Sequence, residues 1–150
     1  MIALASDHVG IELNVKIMEH LDALGLEYKD FGTYNTERCD YPDYAYAAAT
    51  AVASGECEKG IICCGTGVGI SIAANKVKGI RCVCCSDTYS ALLSRQHNNT
   101  NMLSMGSRVV GQELAMMIVD AWLGGEYEGG RHQRRIDKIA EIENTGRLTL

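Results

Sequence analysis

The sequence predicts an α/β domain in which helices cover both faces of a parallel sheet. Three observations predict it. Short apolar runs alternate with longer segments of helical periodicity along the chain. The short runs are apolar throughout, as strands buried on both faces are. Polar or glycine-rich turns follow the runs, and such sheets bind ligands beyond the carboxyl ends of their strands.

Residues 2–6, apolar and stopping at Asp7, read as the first strand. In residues 10–24, Leu13, Ile17, Leu21 and Leu24 recur at helical spacing while Glu12, Lys16 and Glu19 take another face; Gly25 is a stop. Residues 27–31 form a weaker strand and 32–41 a polar, turn-like stretch. Pro42 suits the first turn of an Ala-rich helix that runs to residue 54. Residues 60–64 are the third strand, leading into Gly65-Thr66-Gly67-Val68-Gly69 and a helix to about residue 75. Strands at 80–85 and 102–105 flank a helix at 88–96. A strongly apolar helix at 112–123 and a last one at 131–143, striped by Ile136, Ile139, Ala140 and Ile142, complete the set. The tail after Asn144 is expected to fray.

A chain of 150 residues makes one domain, 1–150, able to bury most of its apolar surface. Its 47% hydrophobic and 22% charged residues exclude disorder. No apolar run approaches the roughly 20 residues of a membrane span. The net charge of -5 argues against nucleic-acid and anionic-membrane partners. The opening MIALASDH has no basic region and no long apolar segment, so no signal peptide is expected. The cysteines number 7, an odd count, and sit inside apolar runs; they read as reduced thiols of a cytoplasmic protein. Without a CxxC pair they predict neither a zinc site nor a dithiol redox centre. Cys57, Cys63, Cys82 and Cys84 are expected to be small buried hydrophobes.

The sharpest local signal is Cys64 at the mouth of the glycine loop. Glycines let backbone N–H groups approach an anion, and a helix N-terminus favours negative charge and the thiolate form of a cysteine. A thiolate serves as nucleophile or general base. The loop lacks the Lys and Ser/Thr of a P-loop and the spacing of a dinucleotide fingerprint, so a plain glycine turn beside a buried thiol is the alternative. Asp7, His8, Cys64 and His97 all fall at expected carboxyl ends of strands, which favours a shared site. His20 reads as a surface residue within its helix. Arg131 and Arg135 share a helix face and suit a phosphate through bidentate bonds; a solvated charged face is the alternative. Arg108 can add a third guanidinium. Tyr41 can line a pocket, whereas Tyr44 and Tyr46 read as packing residues. No carboxylate pair and no Ser-His-Asp arrangement with a nucleophile elbow is present.

Together, Ser6-Asp7-His8-Val9-Gly10, Asp40-Tyr41-Pro42, Cys64-Gly65-Thr66-Gly67-Val68-Gly69-Ile70-Ser71, Ser94-Arg95-Gln96-His97-Asn98, Gly106-Ser107-Arg108 and Gly129-Gly130-Arg131-His132 resemble the ribose-5-phosphate isomerase B family. That family also contains galactose-6-phosphate and allose-6-phosphate isomerases. The resemblance runs from residue 1 to about 143, and its motifs keep the same order. It implies a Rossmann-like three-layer α/β/α sandwich with a five-stranded parallel sheet. It also implies an aldose–ketose isomerase with no metal and no organic cofactor, acting on a sugar phosphate.

By the same resemblance Cys64 is the base that moves a proton between carbons 1 and 2. The amides of Gly65, Gly67, Val68 and Gly69 hold the enediolate, Ser71 belongs to the same substrate-binding motif, and Thr66 moves protons at the sugar oxygens. His97 opens the furanose ring. Asp7 binds the ring-opening end of the sugar, and Tyr41 and Asn98 line the pocket. His8, Arg108, Arg131 and Arg135 resemble the phosphate-binding set. The site is expected between the subunits of a homodimer, in some members a tetramer, with His97, Asn98 and Arg108 from the partner. Two features depart from the pattern: Cys63 directly precedes Cys64, and Arg134 adds a charge beside the phosphate pair.

Overall fold

The computed structural model describes residues 1–150. Its elements are β1 (Ile2–Ser6), α1 (Ile11–Ala23), β2 (Tyr28–Asp30), α2 (Tyr41–Ala53), β3 (Lys59–Cys64), α3 (Val68–Ala74), β4 (Cys82–Cys84), α4 (Thr88–Asn98), β5 (Met102–Gly106), α5 (Gln112–Gly124) and α6 (Arg131–Thr145). The five strands form one parallel sheet in the order β2-β1-β3-β5-β4. The chain leaves β1 to one side for β2 and returns on the other for β3. The crevice beyond the carboxyl ends of β1 and β3 is therefore a topological switch point.

Because side chains alternate along a strand, each strand feeds two cores. Ile2 and Leu4, Ile61 and Cys63, and Leu103 and Met105 pack with Leu13, Ile17 and Leu21 of α1, Ala91 of α4 and Ile118, Val119 and Trp122 of α5. Ala3 and Ala5, Ile62 and Cys64, and Met102 face the other way, onto Ala45, Ala48, Ala49 and Val52 of α2 and Ile70 and Ala74 of α3. Burying each large aliphatic side chain contributes about 1.5–3 kcal/mol. Alanines on α2 let that helix lie close to the sheet. Trp122 is fully buried, and its ring N–H donates to Thr100 Oγ1 at 2.9 Å, so its one polar atom is satisfied.

Helix α6 stands apart from these cores and packs on α4, with Ile139 and Ile142 exposed. It runs to Thr145, and Gly146, at φ 70°, closes it with its N–H on Ile142 O. Beyond it, the Thr149 N–H and hydroxyl both donate to Glu141 Oε1. The strand expected at 80–85 is shorter, only Cys82–Cys84, and lies at the sheet's edge. An edge strand has a neighbour on one side only, so Cys84 is exposed and Cys82 half-buried, not the buried hydrophobes the sequence suggests. Tyr46 is likewise exposed, on the outer face of α2. His20 bridges α1 to α5 through Asp120 at 2.6 Å. No helix is long and apolar enough to cross a membrane.

Candidate active site

Three loops meet beyond the carboxyl ends of β1, β3 and β5. The β3 loop is tied to the β5 loop by Ser107 N–H on Cys64 O at 2.9 Å and Arg108 N–H on Gly65 O at 3.0 Å. Ser107 Oγ donates to Val9 O at 2.8 Å, which joins the β1 loop. Gly67 has φ 79°, and a β-carbon there would sit 2.7 Å from the Met105 carbonyl carbon, so only glycine fits. Gly106 lies so close under Thr66 that a β-carbon would come within 2.5 Å of its backbone.

This packing resolves the two adjacent thiols. Cys63 points into the α1/α5 core, is fully buried, and burial pushes its thiol well up. Cys64 points the other way, is 4% exposed, and its Sγ accepts the Gly67 N–H at 3.2 Å. Thr66 is exposed; its Oγ1 accepts the Val68 N–H at 3.3 Å, which leaves the hydroxyl proton free to be given outward. Ser71 is buried and its hydroxyl donates to Val68 O. The Tyr41 ring lies directly over Gly69. Asp7 Oδ1 takes the amides of Val9 and Gly10, both at 2.9 Å, so one carboxylate oxygen shapes the turn into α1. His8 Nδ1 accepts the Cys39 N–H at 3.3 Å, so in the neutral ring Nε2 carries the proton. Arg108 lies beside its own chain's glycine loop, its Cδ 3.9 Å from where a Gly65 β-carbon would stand.

The remaining predicted residues form a second group elsewhere. His97 and Asn98 end α4, and α4 leads into the amino end of β5. The Arg81 guanidinium, just before β4, donates to Asn98 O and Asn99 O, which marks the same amino edge of the sheet. His97 is therefore not at a carboxyl end; a parallel strand follows its helix, and about 13 Å of β5 lies between the two edges. The His97 ring stacks on His132 of α6, with centroids 4.2 Å apart and planes 13° apart. Arg131 and Arg135, both exposed, lie on α6 beside this stack. His132 is buried; burial, then Arg131 and His97, push it below the ordinary histidine value, while Glu128 pulls the other way. His97, Glu128 and His132 are the one cluster whose ligand atoms lie within 4.8 Å of one another. With the rings nearly parallel, their in-plane lone pairs run side by side instead of meeting at one ion.

The ribose/galactose isomerase family model matches residues 2–139. The chain belongs to the ribose/galactose isomerase family. Ribose-5-phosphate isomerase B of Escherichia coli strain K12 is 63% identical over 142 residues, 95% of each chain. The ribose-5-phosphate isomerase B structure from Clostridium thermocellum superposes with a TM-score of 0.96 at 52% identity, covering 97% of this chain and 99% of that one. The Mycoplasma genitalium ribose-5-phosphate isomerase B structure, with ribulose 5-phosphate bound, has a TM-score of 0.91 at 44% identity over 96% of each chain. In this chain the parallel sheet brings Cys64, the last residue of β3, to the mouth of the glycine loop. Sequence reasoning passed over Cys39, Ser107, Glu128 and His132 as working parts. Of these, only Ser107 and His132 lay inside recognisable motifs.

Proposed function

We propose that this protein interconverts D-ribose 5-phosphate and D-ribulose 5-phosphate, an aldose–ketose isomerisation through an enediolate. The observation that carries the reading is the Cys64 thiol. It is nearly buried, held by the Gly67 N–H and flanked by the Thr66 hydroxyl, in a chain 63% identical to an isomerase of that name. As thiolate, Cys64 takes the proton from carbon 2 of the open aldose and returns it to carbon 1. Thr66 moves a proton between the oxygens on carbons 1 and 2. One base serves both directions, and no electrons leave the sugar. Charge gathers on the two oxygens, and the amides from Gly65 to Gly69 are the donors that receive it, those of Gly67 and Val68 by sharing the bonds they make to Cys64 Sγ and Thr66 Oγ1. Asp7, Tyr41, Ser71 and Asn98 bind the sugar, and His97 opens its ring. His8, Arg108, Arg131 and Arg135 take the phosphate, and this remote anchor supplies the binding energy that positions the reacting carbons.

The two residue groups lie at opposite edges of one sheet, so the working site joins the carboxyl edge of one copy to the α4–α6 end of another. A homodimer is the smallest assembly that closes it, and a two-fold axis closes two sites at once. The thiol-rich composition supports a cytoplasmic setting. The test is ketose formation by purified protein from ribose 5-phosphate, with and without EDTA, beside allose 6-phosphate and galactose 6-phosphate. Fast, EDTA-insensitive conversion of the pentose is the expected result. Preference for a hexose phosphate would move the substrate, and no conversion of any sugar by folded protein would overturn the reading.

A further inference from the structure

Glu128 reaches the histidine pair from the loop between α5 and α6. Its backbone N–H donates to Gln96 O at 3.0 Å, which fixes it beside the last turn of α4. Its Oε2 lies 3.9 Å from His97 Nε2 and 3.5 Å from His132 Nε2. A carboxylate oxygen only accepts, so an imidazole nitrogen facing it is favoured with its proton on. His132 is buried, its Nε2 has no hydrogen-bond partner, and it stacks flat on His97. It holds the His97 ring plane while the carboxylate addresses the ring's edge.

We propose that Glu128 is a positioning residue that keeps the His97 proton on Nε2 and so presents the Nδ1 lone pair to the sugar. The proposal rests on the ring-opening reading of His97. Ring opening then balances as follows. Nδ1 takes the proton of the anomeric hydroxyl, the bond from carbon 1 to the ring oxygen breaks as the carbonyl forms, and the same proton passes to the ring oxygen. A carboxylate that holds a histidine's tautomer and orientation is a known device of acyl-transfer triads. Separations longer than a hydrogen bond in the free enzyme tighten when substrate arrives.

The experiment compares wild type, Glu128→Gln and Glu128→Asp on ribose 5-phosphate and on ribulose 5-phosphate. The ketose has its carbon 5 oxygen phosphorylated and closes no five-membered ring, and its open aldose product can leave and cyclise in solution. The expected result for Glu128→Gln is a loss of about tenfold or more in kcat on the aldose and little on the ketose, with partial rescue by Glu128→Asp. Histidine ¹⁵N spectra of His97 should show the proton on Nε2 in the wild type and a shift toward Nδ1 in Glu128→Gln. Equal loss on both sugars, no loss on either, or an unmoved tautomer would overturn the proposal. A wild type inactive on both sugars would instead sink the isomerase reading, and the spectra would still decide the Glu128 link. Glu128 is exposed, so the variants should keep the wild-type melting temperature, which is measured alongside.

Discussion

Around Cys64 the backbone does the positioning, whereas around His97 side chains do. The Cys64 loop is tied by main-chain bonds from Ser107 and Arg108, and glycines at 67 and 106 let the segments touch. The His97 end depends on a ring stack, one carboxylate, the loop bond from Glu128 to Gln96 and the Arg81 guanidinium on Asn98 O and Asn99 O. The difference matches the chemistry proposed for each half. Proton transfer at carbon needs a base and oxyanion donors held rigidly before the reaction begins. Ring opening and phosphate capture tolerate adjustable side chains, because substrate binding completes their geometry.

The largest expected effect breaks the rigid half. Cys64→Ala should lower kcat by about a thousandfold or more with the fold intact by circular dichroism, while Cys63→Ala should keep most activity. Equal losses would overturn the assignment of the base to Cys64. Next, the two halves can be separated genetically. Cys64→Ala and His97→Asn homodimers should each be poor on ribose 5-phosphate. Mixed and re-formed, they should recover about a quarter of wild-type activity, since half the dimers are hybrids with one intact site of two. No recovery in dimers shown to have exchanged subunits would mean that each site lies within one chain.

A smaller effect belongs to the adjustable half. Arg131→Ala should raise KM for ribose 5-phosphate by about tenfold and change kcat less, as loss of a charged phosphate contact does. An unchanged KM would leave Arg131 as surface charge. The smallest effect is on stability. His132 titrates lower in the folded protein than its ordinary 6.5, so just below that value the unfolded chain binds the extra proton. Stability should therefore fall as pH drops from about 6.5 toward the lowered folded value, and His132→Gln should flatten that slope. Melting curves from about pH 5 to pH 7.5 check it, and an identical slope in the variant would remove His132 from the acid response.

The chain's local pattern carries the succession of strands and helices, the glycine loop with Cys64 at its mouth, and the alternation that sets Cys63 and Cys64 on opposite faces, while packing resolved which thiol faces which core. The succession, the loop and the alternation follow from local periodicity and turn chemistry, which neighbouring residues carry among themselves. Tertiary structure alone decided the strand order, and with it that β4 is an edge and Cys84 exposed. That His97 lies at the amino edge, away from Cys64, follows instead from element order: its loop leads from a helix into a strand, and in a parallel sheet such a loop lies at the amino edge. The stack of His97 on His132, 35 positions apart in the chain, and the approach of Glu128 to both depend on how α6 packs on α4. Such pairings are set by long-range burial, and no local pattern of residues encodes them.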